Sequence, residues 1–426
     1  MDEAPITARN VRSSNKMTLV PQTYIEVLKR RNFFILILTL LLGQAASGFL
    51  LISLISSVFT KTGSNFAVSG IILSLAAPSF LLMAFAGLFA DLVDRKKIII
   101  AANFLITVVV LFVILSLHIV FASISLSFLY FAINSFFLPA ISAATGQVVK
   151  KNQLMVANSL FILTLTGGQI AGLFIAAIIL FFFGELTTLL ICEILLVVCV
   201  FLPMLLPRLE ARKSQFVTLL FTLKDIGKAF IYIFSSKLIW FFFLTFALMQ
   251  GIVAFGATLG PGFFNDVLNL PINKSPIVFF PPLSLGIILG GLYVHNPKVK
   301  ESFLISLGLG VVGLFSVVLG LIIKFSILTN LLLFLPVIIY MASIGFGVIV
   351  AMIAARTFLQ KSVSHKYQGT IFGANMIFAS FFASIASPTA ATLEALFGYV
   401  FVLISGGLIF MLISVVVDRM GKKWQF

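Results

Sequence analysis

Residues 67–117 read AVSGIILSLAAPSFLLMAFAGLFADLVDRKKIIIAANFLITVVVLFVILSL. Two long apolar runs, 67–90 and 98–117, are parted by a short gap carrying Asp91, Asp94, Arg95, Lys96 and Lys97. About 20 residues at 1.5 Å rise cross roughly 30 Å of hydrocarbon, so each run is long enough to span a membrane as a helix. A barrel would show alternating segments of about ten residues instead.

The pattern repeats in both directions. Further apolar runs fall at 33–59, 119–146, 153–182, 186–207, 238–264, 276–294, 302–323, 326–355, 369–393 and 397–417. Basic residues crowd into every second gap: 25 of the 28 Lys+Arg share one side, and the other receives only Lys61, Lys274 and Lys324. The positive-inside rule makes the crowded side cytoplasmic. The expected protein is an all-α integral membrane protein with about twelve crossings. Both termini are then cytoplasmic, and the membrane is the plasma (inner) membrane.

Composition points the same way. The chain is 61% hydrophobic and 10% charged, with mean hydropathy +1.20, too few charges to cover a soluble protein of this length. The net charge of +15 is spread over the loops as a topology signal, so no nucleic-acid partner is expected. Residues 1–32 are polar and basic and run straight into the first span, unlike a cleaved leader. Cys192 and Cys199 lie about 10 Å apart along one helix, too far to bridge each other. Three scattered histidines build no metal site, and no cofactor is expected.

The longest hydrophilic interruption, 208–237, divides the chain into an N-terminal segment (1–32), a six-helix half (33–207), the connector (208–237), a second six-helix half (238–417) and a tail (418–426). Within the connector Phe216, Leu219, Leu220, Leu223, Ile226, Phe230 and Ile233 recur at helical spacing beside Lys224, Asp225 and Lys228. An amphipathic helix on the basic face fits that spacing, as a surface connector or as a partner-binding element. A faint internal repeat is also visible. Gly168, Gly172 and Ala176 recur every four residues in the fifth run, and Ala383, Ser387 and Ala391 do so in the eleventh, 215 positions on. Small residues at that spacing let helices approach closely in lipid, and paired copies suggest two parallel, pseudo-symmetric bundles.

The gap between runs two and three, Gly87-Leu-Phe-Ala-Asp91-Leu-Val-Asp94-Arg95-Lys96-Lys97, is a candidate conformational loop. Gly87 permits a close crossing, Asp91 can pair with cations or cap a helix, and the basic residues pin the loop to one side. Such a charge network can latch one state of a rocking transporter. This stretch resembles the loop signature of the major facilitator superfamily, G-x-x-x-D-(R/K)-x-G-(R/K)-(R/K). Gly87, Asp91, Arg95 and Lys96 match, while Leu92 and Asp94 replace a basic residue and a glycine. The variant is similar to a prokaryotic branch of macrolide-efflux-like and siderophore-exporter-like proteins. Phe137-Leu-Pro139-Ala140, then Leu154, Ala157, Asn158 and Leu160, resemble the same branch, as do Lys224 to Lys228 and Gln360 to Gly373. Departures exist. Leu173 stands where an antiporter signature in span five has proline, which weakens the implication of drug/proton antiport. The second loop copy, Gly291 to Lys300, has lost its acids.

Polar groups inside the runs are the candidate site, because unpartnered polarity in lipid is costly. They are Gln44, Asn103, Asn134, Gln169, Glu193, Gln250 and Asn375. The resemblance implies that spans one, four, seven and ten, with two, five, eight and eleven, surround the pathway, which singles out Gln44, Asn134, Gln250 and Asn375 as cavity candidates. Each has an alternative reading as an interhelical hydrogen bond. Glu193, the only acid well inside a run, is a candidate for coupling to a proton gradient; it also lies near the surface of a supporting helix. Arg356 either meets an anionic substrate or marks the membrane border. The phenylalanine clusters 181–183 and 241–243 read as packing or lipid-facing groups.

The expectation is a secondary transporter working by alternating access, monomeric in the bilayer, exporting a small lipophilic compound. Transport of a lipid or lysolipid is the alternative within transport. From another class, a non-transporting sensor stays open; no nucleophile–base set, metal cluster or phosphate loop suggests an enzyme.

Overall fold

The computed structural model describes residues 22–150, 153–209, 237–271, 274–294, 300–327, 330–362 and 365–424. The amphipathic stretch expected at 216–234 lies outside the described residues. A short helix, α1 (Gln22–Leu28), precedes the first crossing. The sequence reading treats this stretch as part of a polar N-terminal segment, but Val27 is fully buried against Phe33, Ile37 and Ala157. The first half continues with α2 (Arg31–Thr62), α3 (Asn65–Leu92), α4 (Arg95–Leu115), α5 (Val120–Val148) and α6 (Leu154–Phe201). The second half holds α7 (Lys237–Gly262), α8 (Ser275–Val294), α9 (Glu301–Lys324), α10 (Phe334–Ser362) and α11 (His365–Trp424).

Among the described residues, nine helical stretches are long and apolar enough to cross a membrane, and Val278–Val294 is a shorter apolar helix. Two of the nine, Val156–Leu205 and Ala374–Gly421, run for 50 and 48 residues, about twice what one crossing needs. Each is broken at a glycine: Gly184 at φ 79°, ψ −178° and Gly398 at φ 76°, ψ 167°. That backbone region is essentially reserved to glycine, and it reverses the chain without a loop. Counting both arms of α6 and α11 brings the crossings to twelve. The tenth run is displaced: the sequence predicts 326–355, but α10 begins at Phe334. Pro336 explains the delay, since a proline is tolerated in a helix's first turn and not in its interior.

Helix packing follows a two-fold pattern. In the first half α2 packs on α6, α3 and α4 pack on α5, and α4 also on α6. In the second, α7 packs on α11, α8 and α9 pack on α10, and α9 also on α11. Between the halves α3 meets α11 and α7, α6 meets α8, and α2 meets α7. The two faces of the bundle are distinct. Arg31, Arg95 to Lys97, Lys150 and Arg208 end helices on one, the basic face; Gly63, Gly184 and Gly398 turn the chain on the other.

Each half has its own core. Leu50, Leu54, Val110, Tyr130, Leu189 and Cys192 pack together in the first, and Phe242, Phe243, Ile305, Val350 and Leu359 in the second. The two phenylalanine clusters part company here. Phe182 and Phe183 stand on the apolar surface, whereas Phe242 and Phe243 are fully buried. Both cysteines are free and buried; their thiols donate to the Ala46 and Thr39 carbonyls, tying α6 to α2.

Candidate functional site

The loop between α3 and α4 is built from its helix ends. Asp94 caps α4, its carboxylate accepting the Lys96 backbone N–H at 2.9 Å, where a negative charge also suits the positive end of the helix. This is the role Asp94 takes in the position where the resembled signature has glycine. Arg95 is buried, its Nε donating to the Ala90 carbonyl and its backbone N–H to Leu209. Lys96 Nζ donates to the Met204 carbonyl at 2.9 Å and to that of Leu206 at 2.5 Å. These bonds tie the loop to the carboxyl end of α6, inside one half. The sequence reading casts the loop as a latch; the described bonds of Asp94 and Lys96 all stay within the first half. Gly87 and Asp91 lie in the last turns of α3.

The cavity candidates separate into two kinds. Counted along their helices from the basic face, Gln44 on α2, Asn134 on α5 and Gln250 on α7 each lie about 20 Å deep. By that residue count the three neutral amides, drawn from both halves, lie at similar depths along their helices. Gln44 is buried and its Nε2 has no hydrogen-bond partner among the described residues, leaving a donor of substantial desolvation cost to be satisfied. Asn134 and Gln250 are half-buried. Asn375, fully buried on α11, donates its Nδ2 to the Phe243 carbonyl of α7 at 2.9 Å, while its Oδ1 has no hydrogen-bond partner among the described residues. That is the interhelical bond of the alternative reading. Asn103 does the same between α4 and α6, donating to the Cys199 carbonyl at 2.9 Å. In the second half Ser306 and Ser414 each donate to the other's carbonyl across α9 and α11.

Glu193 lies in the downstream arm of α6, half-buried, its Oε2 without a hydrogen-bond partner among the described residues. Its helix, α6, packs on α2 and α4. Arg356 is half-buried near the end of α10.

The two stripes of small residues both sit at helix crossings, with different partners. A Cβ on Gly172 would lie 2.4 Å from the Ala45 carbonyl oxygen, and one on Gly168 would lie 3.2 Å from Gln44 Cβ. Gly48 answers from α2, where a Cβ would stand 2.6 Å from the Leu173 nitrogen. Ala176 is fully buried in the first core. In the second stripe Ser387 shares a hydrogen bond with Thr258 of α7 at 2.7 Å and donates to the Ser69 carbonyl of α3. Ala383 packs against the core of the first half, and Ala391 is buried.

Sequence reasoning missed several groups. Tyr130, fully buried, bonds Ser47 at 2.8 Å between α5 and α2; a lone tyrosine in an apolar run gave no pattern to detect. Gly184 and Gly398 had a detectable signal: they stand 214 positions apart, one short of the repeat offset.

Comparison with known proteins supplies the context. The family model of the Major Facilitator Superfamily matches residues 18–388. No curated protein sequence matches the chain. Solved structures do. A mutant of the nucleoside transporter NupG superposes with a TM-score of 0.68 at 17% identity, covering 91% of this chain and 98% of that one. A POT family transporter in complex with a thioalcohol-conjugated peptide gives 0.72 at 12% identity, over 94% and 99%. A bacterial homologue of the human lysosomal transporter Spinster, inward-facing and unoccupied, gives 0.69 at 13%, over 93% and 97%. At such identities the likeness is one of fold.

Proposed function

Because the chain belongs to the Major Facilitator Superfamily, we propose that it is a secondary active transporter exporting a small lipophilic compound by alternating access. The basic face is the cytoplasmic one, in keeping with the positive-inside rule, and the membrane is the plasma membrane. What supports this reading is the similar depth, counted by helix rise, of Gln44, Asn134 and Gln250. Amides drawn from both halves can hydrogen-bond a solute while contributing no charge. The unpartnered Nε2 of Gln44 is the donor with most to gain from a bound acceptor. Neutral groups at that depth suit a lipophilic or weakly charged solute better than a sugar phosphate or dicarboxylate. The likeness of the 87–97 loop to efflux-type relatives supports the direction.

The cycle follows from the two-fold packing. The halves meet mainly through α3 with α11 and α7 and through α6 with α8, and rocking one against the other exposes the amides between them to either face in turn. Export is driven by a proton gradient, with Glu193 as the group that gains and loses the proton.

The test is flux in proteoliposomes after a thermal-shift screen against antibiotics, siderophores and lysolipids. A stabilising lipophilic compound should move faster when an inward proton gradient is imposed, and the reading falls if ligands bind without being moved. Gln44→Leu and Gln250→Leu are expected to raise KM while kcat changes less. Glu193→Gln is expected to abolish the response to the gradient; undiminished, pH-driven flux in that variant rejects the coupling role.

A further inference from the structure

The first residue of α3 makes more polar contacts across the two halves than any cavity candidate. Asn65 is buried, with 5% of its surface exposed, and its partners all belong to the second half. Its Nδ2 donates to Glu394 Oε2 at 3.1 Å and to the Tyr399 hydroxyl at 2.6 Å. Its Oδ1 accepts the backbone N–H of Gly262 at 3.1 Å. The carboxamide therefore uses both kinds of bonding group, and the acceptors fix which end is oxygen and which nitrogen. The Tyr399 hydroxyl in turn donates to Asp266 Oδ2 at 3.2 Å, and Asn265 Nδ2 donates to Asp266 Oδ1 at 2.8 Å.

These partners are not scattered. Gly262 closes α7, Asp266 lies in the π-turn Phe263–Val267 that follows it, and Glu394 and Tyr399 flank the Gly398 break of α11. Three helix ends meet at one side chain on the face opposite the basic loops. Space there is tight. A Cβ on Gly262 would stand 2.1 Å from the Tyr399 hydroxyl and 2.4 Å from Asn65 Nδ2, so any larger residue there displaces the side chains that make these bonds. One turn deeper the same three helices are joined again, Thr258 to Ser387 at 2.7 Å and Ser387 to the Ser69 carbonyl at 3.3 Å. Further in, Phe80 of α3 meets Phe381 of α11 at 5.3 Å.

We infer that Asn65 is the positioning residue that holds the pathway shut on the face away from the basic loops, clamping α3 of the first half onto the ends of α7 and α11. The inference rests on the transporter reading, since only a rocking molecule needs to break these bonds. Their chemistry suits that task. Hydrogen bonds of a neutral amide contribute modestly once exchange with water is counted, so the clasp opens without separating buried ion pairs. An apolar side chain of similar size removes three bonds at once and should favour the open state by roughly tenfold to a hundredfold.

The experiment uses the full chain in lipid nanodiscs, spin-labelled at Thr62→Cys and Leu396→Cys, which sit at exposed helix ends of the two halves. The parent protein should give one short distance in pulsed electron-electron resonance. Asn65→Val should add a longer population, roughly tenfold or more above the parent. Gly262→Ala, which obstructs the same joint from the other half, should do likewise. Should Asn65→Val fail to fold, Tyr399→Phe removes a single hydroxyl and should shift the distances less but in the same sense. Folded Asn65→Val and Gly262→Ala proteins with the parent's distance distribution overturn the inference. Flux separates the two claims. Shifted distances without any solute movement in the parent keep the clasp and reject the transporter; transport with unshifted distances rejects the clasp alone.

Discussion

A Cβ on Gly172 would lie within 2.4 Å of the Ala45 carbonyl oxygen, and the backbone on either side cannot give way without parting α2 from α6. In lipid that pair is held by close packing, because hydrocarbon outside is as apolar as the side chains inside. Gly172→Val should therefore destabilise the protein by roughly 1–3 kcal/mol, the usual cost of overpacking, read as a lower melting temperature in detergent. Asn375 and Gln250 provide a sharper contrast. Both were cavity candidates on the same reasoning, but Asn375 spends its Nδ2 on the Phe243 carbonyl. Asn375→Leu should cost about 1 kcal/mol of stability, in the range measured for interhelical bonds, with KM unchanged. Gln250→Leu should move KM and leave the melting temperature near the parent's. An amide in an apolar run announces that it needs a partner; whether that partner is a neighbouring helix or a solute depends on a carbonyl placed more than a hundred residues away.

Hairpins at Gly184 and Gly398 show how a helical element can be legible in number yet hidden in form. Hydropathy separates runs five from six and eleven from twelve by only a few residues, and a loop is the natural expectation. The chain instead reverses at one glycine with positive φ in each half. Any other residue there should cost roughly 1–3 kcal/mol of backbone strain. Gly398→Ala is expected to lower the melting temperature and also to disturb Tyr399, its neighbour in the clasp; Gly184→Ala should lower it without affecting the distance between the halves. Equal behaviour of the two variants in the distance measurement would contradict this assignment. The loop between α3 and α4 makes a related point. Its residues were readable as a motif, but the partners of Lys96, the Met204 and Leu206 carbonyls, come from the turn just beyond α6 and leave no trace in local spacing.

For the molecule as a whole, topology is the most directly testable consequence. With the basic face inward, Thr62→Cys and Leu396→Cys should react with a membrane-impermeant thiol reagent in intact cells, and Lys150→Cys only after the membrane is opened. The reverse pattern would invert the orientation proposed here and turn the Asn65 clasp into an inner closure. Native Cys192 and Cys199 are buried and should stay unlabelled in both cases.

Membrane crossing, helix number and the two-sided distribution of charge were written in the amino-acid order, because burying backbone in hydrocarbon leaves few solutions and each needs a run of fixed length. The twin stripes of small residues were visible for the same local reason, a spacing of four on one helix face. What only the assembled bundle decided is which polar groups are spent on structure and which clasp one half to the other. Those answers turn on distances between α3, α7 and α11, segments hundreds of residues apart, and a hydrogen bond of about 3 Å is set by how helices pack.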